Sequence, residues 1–147
     1  MTSSTKIPIP LEGKDFERKC VPLFAGLLAD PNAKMVGTNG QGQKGLDILA
    51  RRDRDPHRPV GVQCKLRTRG DKLTEIELRS EVAAALAVRP PLVEYYIVTT
   101  APDDTAYDLL AVQLSQEQAD LGRIIDIQIW GWDTLQQRIH ADPRALN

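Results

Sequence analysis

The chain has 147 residues, of which 41% are hydrophobic and 27% are charged. This length accommodates one domain with a sizeable core and is too short for two. The net charge of −1 gives no overall attraction to a polyanion, so any contact with a nucleic acid has to come from a local cluster of basic residues.

Neither a membrane span nor a disulfide framework is expected. No run approaches the roughly 20 apolar residues that a bilayer-spanning helix requires, and no apolar segment follows a basic one near the start. The two cysteines, Cys20 and Cys64, lie among apolar neighbours and are too few for a disulfide scaffold. We expect buried thiols, a cytoplasmic location and no membrane partner.

The first predicted element is a helix over residues 14 to 29. Its apolar positions recur at helical spacing, and the Asp-Pro-Asn sequence at 30–32 ends the run. Glu17 shares one stripe of this helix with Cys20, Val21 and Phe24, because the four positions are spaced i, i+3, i+4 and i+7. Glu17 is therefore expected to face the sheet.

Two strands follow a short apolar piece and a glycine-rich turn. In "GLDILARR" the alternation puts Leu46, Ile48 and Ala50 on one face and Asp47 on the other. In "RPVGVQCKLR" the apolar face carries valines and Cys64, so Gln63 and Lys65 point together to the opposite side. If the two strands pair through the loop between them, these polar side chains lie close to Asp47.

The second half of the chain alternates helices and strands. Thr74 precedes Glu77 by three residues in a capping-box pattern that opens a helix, which ends at Pro90-Pro91. The segment "LVEYYIVTT" predicts a central strand, and residues 103 to about 118 predict a third helix. "RIIDIQIWGW" is a last strand, and "DTLQQRIH" a last helix with Asp133 as its N-cap. This order predicts an α/β sandwich around a mixed sheet.

Asp47, Gln63 and Lys65 have the chemistry of a metal-assisted hydrolytic site. A carboxylate and an amide carbonyl are hard oxygen ligands suited to Mg²⁺, which keeps waters that a substrate phosphate can replace. A lysine beside them can stabilise developing negative charge or orient an attacking water. Glu17 is the expected fourth member of the site.

The segment from 51 to 72 is locally basic. Its arginines and lysines flank the strand pair and can contact phosphates, which dominate affinity for nucleic acids. The plainer alternative is that arginines in a hairpin loop are simply solvated. The candidate phosphate-binding residues are Arg51, Arg52, Arg54, Arg67 and Arg69.

These motifs together resemble one family. "DFERKCVPLF", "GTNGQGQKGLDILA", "PVGVQCKL" and "YYIVTT" are similar, in this order, to the PD-(D/E)XK nuclease superfamily and in particular to its Mrr-like restriction endonucleases. In that branch glutamine commonly replaces the second acid, giving Q-x-K, which falls here on Gln63 and Lys65. The family's first acid falls on Asp47 and its helical glutamate on Glu17, with Gly42 and Gly45 in the glycine-rich approach. Leu46 stands where the founding motif has proline, and the neutral Gln63 lowers the negative charge at the metal.

The resemblance implies a restriction-endonuclease-like three-layer α/β/α sandwich and Mg²⁺-dependent cleavage of double-stranded DNA, with Mn²⁺ as a substitute. It implies that Asp47, the Gln63 side-chain oxygen and the Cys64 backbone carbonyl bind the metal, that Glu17 supports it, and that Lys65 positions the nucleophile. The implied domains are a tail at 1–10, an endonuclease domain at 11–141 and the start of a linker at 142–147. The implied context is the effector domain of a bacterial antiphage protein, of restriction-like or STAND type, with low sequence specificity.

The implied effector is expected to form a homo-oligomer, a dimer or larger, through a further domain.

Other functions stay open at this stage. A domain with an inactive site that only binds nucleic acid is one alternative, which the neutral Gln63 permits and the intact Asp47 and Lys65 oppose. An assembly domain that kept the nuclease fold is the other.

Overall fold

The structure is a computed structural model that describes residues 8–10, 12–36, 46–68 and 70–141. Most of the predicted N-terminal tail, the glycine-rich turn with Gly42 and Gly45, and the predicted linker at 142–147 lie outside the described residues. The helices and strands within the described ranges follow the predicted order. They are α1 (Gly13–Leu28), β1 (Lys34–Met35), β2 (Ile48–Arg51), β3 (Pro59–Lys65), α2 (Glu75–Leu86), β4 (Glu94–Thr99), α3 (Thr105–Asp120), β5 (Asp126–Trp130) and α4 (Trp132–Ala141).

The five strands form one mixed sheet in the order β1-β2-β3-β4-β5. The first three strands pair antiparallel, and β3, β4 and β5 pair parallel. The connections explain this change of direction, because a short loop joins β2 to β3 while a helix crosses over between each parallel pair. The protein is therefore a mixed α/β domain, as the pattern of elements predicts.

Helices cover both faces of the sheet, which makes three layers. The core cluster on one face contains residues of α1 and α4, and the cluster on the other contains residues of α2 and α3. All six residues of β4 are buried, as expected for a central strand with a helical layer on each side. The α1 side includes an aromatic group in which Phe24 stacks on Trp130 with ring centroids 5.8 Å apart.

The capping box of α2 is confirmed. The Thr74 hydroxyl accepts a hydrogen bond from the Glu77 N–H at 3.1 Å, and the Glu77 carboxylate accepts one from the Thr74 N–H at 3.2 Å.

None of the described helices is long and apolar enough to cross a membrane.

The predicted cap of α4 is wrong. Asp133 lies inside the first turn of this helix, and the capping carboxylate is that of Asp103, from the loop before α3. Asp103 accepts hydrogen bonds from the N–H of Gly131 at 2.8 Å and of Thr134 at 2.7 Å. Position 131 requires glycine here, because a Cβ atom would lie 2.6 Å from the Asp103 Cα. A residue distant in sequence thus supplies the acceptor that the helix start needs.

Candidate functional site

The candidate site lies where β2 begins and β3 ends. Asp47 directly precedes β2, and its N–H donates a hydrogen bond to the Val62 carbonyl at 2.8 Å. Val62 is also the register partner of Ile48, so two consecutive residues face one, as in a β-bulge. This irregularity explains a wrong prediction: Leu46 packs in the α2–α3 core and Ile48 in the α1 core, whereas simple alternation puts them on one face.

The Asp47 carboxylate is tied to the Q-x-K segment of β3. Its Oδ2 accepts a hydrogen bond from the Cys64 N–H at 2.8 Å. Lys65 directs its carbonyl toward β4, where it accepts from the Thr99 hydroxyl at 2.7 Å. Because successive peptide groups of a strand point to opposite sides, the Cys64 carbonyl points toward β2, on the side of Asp47. The strand pairing that the sequence left open thus brings Asp47 and the Cys64 backbone together.

The environment of Asp47 disfavours its charge. Burial raises the pKa of this carboxyl above its ordinary value, and the nearby negative charge of Glu17 adds to the increase. The hydrogen bond from Cys64 and the positive charges of Lys14 and Lys65 act in the opposite direction without cancelling the shift. A cation bound at this carboxylate would favour its ionised form.

Gln63 contributes an unsatisfied acceptor to the same region. Its Oε1 atom is buried and accepts no hydrogen bond from any residue that the structure describes. Buried polar atoms are nearly always paired, so an orphaned amide oxygen calls for a water, a metal ion or another donor. Gln63 and Lys65 are two positions apart on β3 and point to one face of the sheet, as predicted.

Glu17 faces inward, as its helical stripe predicts. It is 8% exposed, and its carboxylate pairs with Lys14 at 3.4 Å. Among the described residues, no group of three or more His, Cys, Asp or Glu side chains is arranged to hold a metal ion. A metal site here therefore depends on the Gln63 amide and the Cys64 carbonyl as well as on Asp47 and Glu17.

The Cys64 side chain is on the α1 face, away from Gln63 and Lys65. It lies against Cys20, and the contact between the two thiols, together with burial, holds the pKa of Cys64 well above its ordinary value. Both cysteines are free. A protonated thiol is a poor nucleophile, so Cys64 contributes its backbone to the site and its side chain to the core.

Two glutamates of α2 contact predicted site residues, although the sequence pattern did not identify either glutamate as part of the site. The Glu81 carboxylate contacts the Lys65 ammonium at 2.8 Å, and both side chains are about one-fifth exposed, at 20% and 22%. Glu77, besides closing the capping box, pairs with Arg67. The spacing carries the missing signal: residues one helical turn apart and residues two apart on a strand are both separated by about 5–7 Å, so the two charge pairs match.

The predicted phosphate-binding arginines are divided between the two ends of β3. Arg52 is held by Glu94, with Nη2 2.7 Å from Oε1, and the phenol of Tyr96 donates to the same carboxylate at 2.7 Å. Burial alone would raise the pKa of Glu94, but these two hydrogen bonds lower it. Phosphate contact by Arg52 or Arg67 would require its ion pair to open. Arg69 lies outside the described residues.

Comparison of the chain with models of protein families, with curated proteins and with solved structures found no match in any of the three. Fold and site alone define the class of this protein. It is a mixed α/β domain with the Asp47 carboxylate, the Gln63 amide and Lys65 at one end of an antiparallel strand pair.

Proposed function

We propose that the protein is a metal-dependent endonuclease that hydrolyses phosphodiester bonds of DNA. The observation that carries the proposal is the buried, unpaired Oε1 of Gln63, on the strand whose backbone binds the Asp47 carboxylate. An amide oxygen without a donor and a carboxylate whose charge is disfavoured are complementary to a hard cation. The choice of DNA as substrate rests on the resemblance to Mrr-like endonucleases, as does the placement in a bacterial antiphage protein.

Each residue of the site has a role that follows from its surroundings. Asp47, the Gln63 oxygen and the Cys64 carbonyl would hold Mg²⁺ or Mn²⁺, with Glu17 supporting them from α1. The metal would polarise the phosphate and lower the pKa of an attacking water. Because burial raises the pKa of Asp47, the rate is expected to rise with pH as this carboxyl ionises.

Lys65 would stabilise the negative charge that develops on the phosphate. In the described structure its ammonium is 2.8 Å from Glu81. Glu81 therefore restrains a long side chain that would otherwise sample many rotamers. A phosphate would have to share the ammonium with this carboxylate.

The same ion pair favours a second candidate function. Glu81 neutralises the charge of Lys65, and residue 63 is a neutral amide, which are features expected of a domain that binds nucleic acid without cutting it. Such a domain would keep its affinity for DNA and lack metal-dependent hydrolysis.

Cleavage of supercoiled plasmid DNA with Mg²⁺, Mn²⁺ or EDTA tests the proposal. The proteins to compare are the wild type, Asp47→Asn, Lys65→Ala and the control Lys72→Ala, which removes a more exposed lysine paired with Asp104. The assay should include protein concentrations that permit self-association, because the resemblance implies a homo-oligomer. We expect metal-dependent cutting that is lost in the two site variants and kept in the control.

Two other outcomes would contradict the proposal. Cutting that survives in Asp47→Asn would place the catalytic centre elsewhere. Absence of cutting by the wild type, both alone and after forced dimerisation, together with retained DNA binding, would establish the second candidate instead.

A further inference from the structure

The described cations of the basic segment 51–72 fall into two classes. Arg51 and Arg54 are exposed and have no carboxylate partner among the residues that the structure describes. The other described cations of the segment are neutralised by carboxylates. They are Arg52, Arg58, Lys65, Arg67 and Lys72.

The two unpaired arginines lie in one groove with a third cation. Arg51 at the end of β2, Arg54 in the following turn and Lys34 of β1 line a groove of about 530 Å³. Lys34 is also exposed and forms no ion pair within the described residues. The amide side chain of Asn32 adds a further polar group to the wall.

A single carboxylate, that of Asp30, lines the groove, and its oxygens are already engaged. Its Oδ1 accepts from the Asn32 N–H at 2.9 Å and its Oδ2 from the Arg51 N–H at 2.7 Å. Asp30 is only 2% exposed, and these two hydrogen bonds join the loop after α1 to the end of β2. Three positive charges against one negative charge leave the groove with a net charge of +2, in a chain whose overall charge is −1.

We propose that this groove binds the phosphodiester backbone of double-stranded DNA at a distance from the candidate active site. The inference rests on the proposed function for its choice of DNA. Arg51 is four residues from Asp47 along the chain, about 13 Å at the rise of an extended strand. At about 3.4 Å per base pair, the groove would contact the backbone about four base pairs from a phosphate bound at Asp47.

The salt dependence of DNA binding tests this assignment. Each cation that displaces a condensed counterion contributes about 0.9 to the slope of log affinity against log salt, so three contribute about 2.7. Fluorescence anisotropy with a short labelled duplex, in EDTA so that no cleavage occurs, would measure this slope. The test variant combines Lys34→Ala, Arg51→Ala and Arg54→Ala.

A control of equal charge change separates location from net charge. Lys19→Ala, Arg79→Ala and Arg89→Ala also remove three positive charges, but from helices and a loop outside the groove. We expect the groove variant to bind at least about tenfold more weakly and to lose about 2.7 from its slope, with the control close to wild type. Equal losses in the two variants would overturn the proposal.

A second variant keeps the test decisive if the alanine variant unfolds. Lys34→Arg, Arg51→Lys and Arg54→Lys preserve all three charges, and this protein should bind with the wild-type slope. Loss of DNA binding in this variant, with its circular dichroism spectrum unchanged, would also overturn the proposal. Arg54→Ala alone should lower the slope by about 0.9.

The outcome for the groove is distinguishable from the outcome for the proposed function. Binding that depends on the groove, without cleavage of plasmid DNA by the wild type either alone or after forced dimerisation, would refute the nuclease and leave the groove assignment intact. Cleavage of plasmid DNA together with an unaltered slope in the alanine variant would refute the groove alone. Absence of any duplex binding by the wild type would refute the groove.

Discussion

Replacing Gln63 by methionine tests whether the orphaned amide oxygen is kept for a metal. Methionine has a similar length and shape but lacks the acceptor. A buried polar atom without a partner costs about 1–3 kcal/mol, and Gln63 is only half-buried as a residue, so we take the lower end of that range. In EDTA, Gln63→Met should therefore be more stable than wild type by about 1 kcal/mol, which raises Tm by about 2–4 °C for a chain of this size.

Added Mg²⁺ should reverse this order. At a Mg²⁺ concentration of about 100 times the dissociation constant, a ligand that binds only the folded state stabilises it by about 2.7 kcal/mol. Wild type should gain this amount, and Gln63→Met should gain less because one ligand oxygen is gone. The variant is thus expected to be the more stable protein without metal and the less stable one with it.

Urea unfolding in EDTA and at several Mg²⁺ concentrations measures both effects. The control is Gln116→Met on α3, where an exposed amide donates to Asp120 and we expect a change within about 0.5 kcal/mol. A loss of stability in EDTA for Gln63→Met would mean that the amide oxygen is satisfied in the folded protein. An equal response to Mg²⁺ in wild type and Gln63→Met would remove Gln63 from the metal site.

Three further predictions concern stability. Glu81→Gln should lower the free energy of unfolding by about 1 kcal/mol, because its ion pair with Lys65 is half-buried. A double-mutant cycle with Lys65→Met should give a coupling energy near that value. A coupling energy below about 0.3 kcal/mol would contradict the contact. Glu94→Gln should cost about 2 kcal/mol at neutral pH. Because the folded-state pKa of Glu94 lies below its ordinary 4.5, its contribution is present above that pH and is lost as the pH falls through the lower value, so acid titrations of the two proteins should converge there. Gly61→Ala should lower the free energy of unfolding by about 1–3 kcal/mol, because the added Cβ would clash with the buried side chains of Leu46 and Leu92. The control Gly13→Ala adds a Cβ with no atom within 4 Å, so its thermal unfolding should be close to that of the wild type.

Much of the candidate site was predictable because it depends on short-range order. Alternation along β3 places Gln63 and Lys65 on one side whatever the rest of the chain does. A hairpin between neighbouring strands then leaves few positions for Asp47. The inward direction of Glu17 follows from helical spacing in the same way, since α1 buries the stripe that contains it.

The sequence by itself determined the order of the elements, the capping box of α2 and the polar face of β3, because periodicity and caps act between residues a few positions apart. Only the tertiary structure decided what that face meets and how the chain runs into β2. The bulge at Asp47 depends on the register with Val62, and the partners of Lys65 and Arg52 lie 16 and 42 residues further along the chain, on α2 and β4. The capping of α4 by Asp103 has the same cause. Such pairings are set by which strands and helices become neighbours, and no local pattern contains that information.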